Sequence, residues 1–333
     1  MALDPKFSFP KRPAPETARP SALARPRPAA ALAGTSAAAG DLSALLASRE
    51  SGTREFAFSG ADFERVRKLI HQYAGISLSP VKKDMVYSRL ARRLRALGKS
   101  SFNDYLDILT PGKGDEWEKF VNSLTTNLTS FFREPHHFPI LAEHLRKISG
   151  RPIKIWCSAA STGEEPYSIA MTVIETLGAE VNNVSIIASD LDTNVLATAR
   201  KGVYGMERLE RLSAERLRRF FLRGTGSQEG FAAVRPEVKR LVEFRQINLL
   251  DNSYAVPSPV DVMFCRNVMI YFDKPTQYKI LSRFAPMLQP DGLLFAGHSE
   301  SFLHAANLFR SQGKTVYVLA DNAEKDAGAT RIR

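Results

Sequence analysis

Residues 153–170 read IKIWCSAASTGEEPYSIA: an apolar run of strand type, a turn of small residues, then a helical pattern opening at Pro166. The turn, SAASTGEE at 158–165, holds one glycine. A dinucleotide loop needs three, so that backbone can approach a pyrophosphate and helix can pack on strand, and NAD or FAD binding is therefore disfavoured. Glu164 and Glu165 point the same way, because carboxylates at a helix N-terminus repel phosphate and suit a cation. The turn fits a nucleoside that carries a cationic group.

Working outward, short β-rich runs at 184–189, 242–248, 261–265 and 293–296 alternate with helical patterns such as TNVLATARKG and PTQYKILSRFAPML. Alternation of this kind predicts an α/β fold, a mainly parallel sheet with helices on both faces. A last run at 315–319 follows the preceding strand through a short loop and is placed antiparallel. Residues 219–241, with Gly224, Gly226 and Gly230 among short apolar pieces, interrupt the alternation and read as an inserted β-subdomain. In an open α/β sheet the ligand lies at the carboxyl ends of the strands. Polar residues stand there four times: Ser158 and its turn, Asp190, Asn248, and Arg266 with Asn267. Asp190 is placed to accept from ribose hydroxyls, while Asp192 reads as the cap of the helix that starts near Thr193.

Before the sheet, residues 56–125 are helical. Ser59 and Asp62 form a capping-box signature ahead of Phe63, Val66, Leu69, Ile70 and Tyr73, with Gly75 as the stop. A second helix spans 81–97, its apolar stripe being Val86, Leu90, Leu94 and Leu97. It carries six basic residues against one acidic, Asp84. Arg89, Arg92, Arg93 and Arg95 on its other faces suggest either a solvated surface or a docking face for an acidic partner. Short helices follow around Phe102–Leu109 and Trp117–Leu124. Residues 126–150 read as a linker, 151–320 as the sheet domain, 321–333 as a tail. Residues 1–55, rich in Pro, Ala and Arg, read as a disordered arm.

Composition narrows the class. The 333 residues are 44% hydrophobic and 24% charged, ordinary globular values. Cys157 and Cys265 form no CxxC, which excludes a disulfide framework or a cysteine zinc site, and no metal is expected. The net charge of +11 favours acidic partners. No run approaches the roughly 18 apolar residues of a membrane helix, and the first residues lack a secretory h-region, so a cytoplasmic protein with no membrane insertion is expected.

TTNLTSFFRE at 125–134, STGEEPYSIA at 161–170, ASDLDT at 188–193, NLL at 248–250 and CRNVMIYFDK at 265–274 stand in an order that resembles the chemotaxis receptor methyltransferase family. The likeness runs from about Asp62 to Leu319. It implies a class I S-adenosylmethionine-dependent methyltransferase sheet with a small N-terminal helical domain and an inserted β-subdomain. The implied activity is methyl transfer from S-adenosylmethionine to glutamate side chains of bacterial chemoreceptors, leaving S-adenosylhomocysteine. By resemblance Asn127, Thr129, Arg133, Glu164, Asp190, Asn248, Leu249, Arg266 and Asn267 would contact the cofactor. Arg133 and Tyr271 would lie nearest the transferred methyl, and Phe131 and Phe132 would pack the domain junction.

The resemblance also gives the basic helix a partner, the acidic cytoplasmic helices of the receptor, docked on Arg89, Arg92, Arg93 and Arg95. In some members the β-subdomain captures a pentapeptide at the receptor's C-terminus. Gly224 and Gly230 match that loop, whereas Ala233 stands where the tether pattern has an arginine, with Arg235 two positions on. A monomer is expected. Two other readings share these features: a nucleic-acid methyltransferase, which would need an aromatic-rich basic groove not evident here, and a cofactor-bound adaptor that docks receptors without turnover. No nucleic acid is expected as partner.

Overall fold

The computed structural model describes residues 54–320. The arm read over 1–55 and the tail read over 321–333 lie outside the described residues, except for Arg54 and Glu55.

Four helices build the N-terminal domain. Helix α1 (Gly60–Ala74) starts where expected: Ser59 Oγ accepts from the Asp62 N–H at 3.1 Å and the Asp62 carboxylate accepts from the Ser59 N–H at 2.8 Å. A cap of this kind stabilises a helix by about 1 kcal/mol. Phe63, Val66, Ile70 and Ala74 form the buried stripe, and Gly75 ends the helix at φ +71°. Pro80 opens a 3₁₀ turn over Pro80–Lys82, so α2 (Lys83–Leu97) begins two residues later than the sequence pattern suggests. Its buried positions are Val86, Leu90, Ala91 and Leu94, while Leu97 is exposed. Helices α3 (Phe102–Asp107) and α4 (Asp115–Leu124) complete the domain, burying Phe102, Tyr105, Trp117 and Phe120.

The segment read as a linker over 126–150 is one only in its first part. Helix α5 (His137–Ile148) follows and buries Phe138, Leu141, Leu145 and Ile148 against the sheet. Pro139 is tolerated because it sits in the first helical turn, where its missing N–H has no intrahelical partner to lose.

The sheet domain then alternates: β1 (Ile153–Cys157), α6 (Glu164–Leu177), β2 (Val184–Asp190), α7 (Thr193–Lys201). The inserted subdomain starts at β3 (Val203–Gly205), earlier than residue 219, and continues through α8 (Ala214–Phe220), β4 (Phe221–Arg223), β5 (Phe231–Val234) and α9 (Pro236–Lys239). It is a three-stranded antiparallel sheet of order β3-β5-β4 rather than one hairpin. The main sheet resumes with β6 (Val242–Gln246), β7 (Val260–Cys265), α10 (Lys274–Phe284), β8 (Leu288–Ala296), β9 (Phe309–Ser311) and β10 (Val316–Leu319).

Its order is β6-β2-β1-β7-β8-β10-β9, with β6 to β8 parallel and β10 antiparallel to both neighbours. Strand order therefore reverses between β1 and β7, and Trp156 pairs with Ile187 on one side and Met263 on the other. Alternate side chains feed two cores. Ile155, Cys157 and Phe264 pack under α5 and α6, while Trp156, Met263 and Cys265 pack under Ile280, Leu281 and Phe284 of α10. Burying each such side chain is worth about 1.5–3 kcal/mol relative to exposure. Both cysteines are buried and unpaired.

The helical domain is tied to the sheet at the strand ends. Asn248 Nδ2 donates to the Tyr73 carbonyl at 2.7 Å, the Ser77 N–H donates to the Tyr271 carbonyl at 2.8 Å, and His71 Nε2 lies 3.0 Å from the Asp273 carboxylate.

Candidate functional site

A cleft of about 1010 Å³, counted with its open mouth, lies over the carboxyl ends of β1, β2, β6 and β7 and under the helical domain. The residues that follow those strands border it: Ser158, Asp190, Asn248, Arg266 and Asn267. Asn127, Thr129 and Arg133 join from the segment between the domains, and Ala74, Leu78, Lys82 and Met85 from the helical domain.

On one side stands Asp190. Its Oδ2 accepts from the Ser161 N–H at 2.8 Å and its Oδ1 from the Asp192 N–H at 3.0 Å, which fixes the carboxylate and leaves each oxygen a further lone pair. Burial pushes its pKa up to about 6 against those two backbone donors. Asp192 is the cap of α7 as read, accepting from Asn194 and Val195, and its other oxygen receives Thr125 Oγ1 and Asn127 Nδ2 at 2.6 and 2.8 Å. Asn127 thus anchors the interdomain segment, and its carbonyl accepts from Ser161 Oγ at 2.9 Å. Ile247, Leu249 and Phe272 supply apolar wall. The Asn248 side chain is spent on the frame, since its Oδ1 also accepts from the Leu250 N–H at 3.0 Å.

The two glutamates of the turn have exchanged parts. Glu164 is fully buried, bonded to Thr162 Oγ1 and paired with Arg208 of the inserted subdomain, and it does not border the cleft. Glu165 does. This corrects the assignment of Glu164: the helix turns the first carboxylate toward the subdomain and the second toward the cleft. Burial raises the pKa of both, and Arg266 opposes that at Glu165. Arg266 itself has no exposed side-chain surface. It donates to Glu165 Oε2 at 2.7 Å and to the Arg133 carbonyl at 2.6 Å, and lies 3.2 Å from Glu134 Oε2.

Arg133 sits between Phe132 at φ +50° and Glu134 at φ +53°, two residues in a left-handed conformation that non-glycines seldom adopt. The carboxylate of Glu134 holds the turn, accepting from Asn267 Nδ2 at 3.2 Å and from His298. Although burial opposes it, the Arg266 charge and these donors hold Glu134 down at about 2. The guanidinium of Arg133 donates to the Leu128 carbonyl at 3.0 Å at the cleft. Tyr271 borders the same cleft from the 3₁₀ turn Met269–Tyr271, with Lys82 Nζ 5.4 Å from its ring centroid. Phe131 and Phe132 pack toward the subdomain: Phe131 meets Tyr204 edge-on at 5.0 Å, and the Arg216 guanidinium lies 3.8 Å from the Phe132 ring.

The basic helix is not one docking face. Arg89 donates to the Thr125 carbonyl at 2.6 Å, closing the end of α4, and Arg93 grips Glu116 at 2.5 Å. Both brace the helical domain, and each remains partly exposed. Arg92 and Arg95 are exposed. Gly224 and Gly230 lie in the subdomain. Gly230 has φ +86°, and a Cβ at Gly224 would fall 2.0 Å from the Gln228 carbonyl oxygen. Lys82 and Glu165 escaped the sequence reading of the site. Glu165 could have been chosen from its turn; Lys82 was hidden among five other basic residues of its helix.

Taken in order of appearance, the strands of the main sheet run 3-2-1-4-5-7-6, with an acid at the end of the second and a small-residue turn after the first. Those features define a class I S-adenosylmethionine-dependent methyltransferase. Residues 61–125 match the family model described as CheR methyltransferase, all-alpha domain, and residues 127–318 the one described as CheR methyltransferase, SAM binding domain. The chain belongs to the CheR methyltransferase family. It is 54% identical over 269 residues to the chemotaxis protein methyltransferase of Escherichia coli (strain K12), covering 80% of this chain and 94% of that protein. It is also 54% identical over 268 residues to chemotaxis protein methyltransferase 2 of Pseudomonas aeruginosa, covering 80% and 95%.

The donor set suits S-adenosylmethionine, the cofactor of this class. Asp190 has acceptor capacity for a ribose diol, and Ile247 and Leu249 offer an apolar bed for a base. Among the described residues no helix is long and apolar enough to cross a membrane.

Proposed function

We propose that the protein methylates glutamate side chains on the acidic cytoplasmic helices of bacterial chemoreceptors, in the cytoplasm, giving glutamyl methyl esters. One observation carries the choice of acceptor. Among the described residues the cleft is bordered by Lys82, Arg133, Arg266 and the Tyr271 hydroxyl, by no histidine, and by two carboxylates that are both engaged, Asp190 and Glu165. Hydroxyl or amine acceptors call for a base, whereas a glutamate of ordinary pKa near 4.3 arrives ionised.

S-adenosylmethionine supplies a methyl group already activated on a sulfonium, which takes the electron pair of the breaking bond. What the chain adds is orientation and partial desolvation of two groups of opposite charge. Arg133 would hold the acceptor carboxylate through one oxygen, the Tyr271 hydroxyl would set its angle, and Lys82 would draw it to the mouth. In this reading Asn127, Thr129, Asp190, Leu249, Arg266 and Asn267 serve the cofactor, with Glu165 in the place first given to Glu164. Arg92 and Arg95 serve receptor docking, and Gly224 and Gly230 shape a subdomain loop that would meet the receptor's tether.

The test is to offer labelled S-adenosylmethionine with a receptor cytoplasmic fragment and with RNA in one mixture. Label in the fragment and none in RNA is expected. Label in RNA would favour a nucleic-acid enzyme, and binding of cofactor and fragment without transfer would favour an adaptor.

A further inference from the structure

Glu300 lies in the turn after β8, outside every element that carries a cleft residue, and is 5% exposed. Its Oε2 accepts from the Asn267 N–H at 2.9 Å and the Gly297 N–H at 2.5 Å; its Oε1 accepts from the Val268 N–H at 2.9 Å and the Met269 N–H at 2.7 Å. One carboxylate thus holds three successive amides of the loop that carries Asn267 and Tyr271. The carbonyl side of that loop is held as well: Gln277 Nε2 donates to Met269 O at 2.8 Å and to Phe272 O at 3.0 Å, and the Tyr271 carbonyl receives Ser77. The backbone on either side of Tyr271 is thus held from outside the loop, while the Tyr271 N–H itself donates within it, to the Val268 carbonyl at 3.1 Å.

The loop does not take this shape unaided. Asn267 has φ +58°, and a Cβ at Gly297 would fall 2.4 Å from Asn267 Nδ2 and 2.9 Å from Glu300 Oε2. Gly297 is bare because carboxylate and loop press against it. Burying a carboxylate is costly unless it is hydrogen-bonded throughout, and four N–H donors meet that need at Glu300. Burial raises its pKa against those donors. A purely structural carboxylate could meet that need with any set of N–H donors. This one is aimed at the three amides that lead into the 3₁₀ turn bearing Tyr271.

We infer that Glu300 is a positioning residue for methyl transfer, fixing the Asn267–Tyr271 loop so that the Tyr271 hydroxyl meets the acceptor carboxylate. The inference rests on the acceptor-orienting role proposed for Tyr271. Glu300→Gln preserves shape but replaces one acceptor oxygen by a donor, leaving two of the four amides without an acceptor.

The test is a double-mutant cycle on the full chain: wild type, Glu300→Gln, Tyr271→Phe and the double variant. Receptor-fragment kcat is divided by active sites counted from S-adenosylhomocysteine binding. Misplacing an orienting group costs about 10-fold to 100-fold, so Glu300→Gln is expected to lower kcat by that much in the wild type. In the Tyr271→Phe background it should cost less than about 3-fold, because it acts through the hydroxyl already removed. If Glu300→Gln does not fold, Glu300→Asp, which keeps the charge on a shorter stem, is run through the same cycle. Unchanged kcat per site, or an equal loss in both backgrounds, would overturn the inference. Full turnover by Tyr271→Phe alone would instead overturn the role of Tyr271.

Discussion

Asp190 would accept from both hydroxyls of a ribose when ionised, and burial pushes its pKa up to about 6. Above pH 6 it is ionised; below, the proton occupies a lone pair the ligand needs. S-adenosylhomocysteine affinity, measured by titration calorimetry from pH 5 to 8, is expected to rise up to about pH 6 and then level. In Asp190→Asn the titration through pH 6 should vanish and affinity should drop about 10-fold, the scale of a hydrogen bond to a charged group. Tyr271→Phe should do the reverse, lowering kcat about 10-fold or more while leaving S-adenosylhomocysteine affinity within about 3-fold. Asp190 and Asp192 were legible in the sequence because a strand end and a helix cap each demand a residue type. Glu300 was not, since its partners are backbone amides, which look alike in every sequence. Glu164 and Glu165 were legible as a pair, but which one faces the cleft depends on Arg208, more than 40 positions away.

At the scale of elements, the join between helical domain and sheet runs through the end of α1. A Cβ at Gly75 would sit 3.1 Å from Leu250, Phe272 and Thr276, and the residue holds φ +71°. Gly75→Ala is expected to cost about 1–2 kcal/mol, read as a lower urea midpoint with unchanged slope. Arg93 and Arg92 separate support from docking. Losing Arg93 strands Glu116, which also accepts from the Tyr105 hydroxyl at 3.0 Å, so Arg93→Ala should lower the Tm. Arg92→Glu should leave the Tm unchanged and raise KM for the receptor fragment. The sequence could not tell these arginines apart, because their partners lie on other helices and periodicity reports only a helix's own face. Helix α5 was overlooked for a different reason: its His, Pro and Phe start resembles a loop, although Phe138, Leu141, Leu145 and Ile148 carry the helical period. Strands β3 and β9 have three residues each, too few for alternation to register.

As a whole, the molecule places Lys82 and Arg133 at a cleft over the strand ends, the site proposed here for the nucleoside, and the parallel order of β6 to β8 is what brings residues 127 to 271 to that cleft. Parallel pairing and a cleft at the strand ends followed from alternation and hydrophobic runs, and the methyltransferase class from the resemblance of the motifs. The closure by Ala74, Leu78 and Lys82 was not legible, because domain docking leaves no local pattern. Attraction between a basic mouth and an acidic helix is screened by salt, so KM for the fragment should rise as ionic strength goes from 0.05 to about 0.5 M, with kcat little changed. The most direct test of the account is the chemistry of the product. After transfer of labelled methyl to a receptor cytoplasmic fragment, treatment with alkali should release the label as methanol, and Glu→Ala changes at the labelled positions should abolish incorporation. Label that survives alkali, or that persists undiminished in those Glu→Ala fragments, would contradict glutamate methylation by this site.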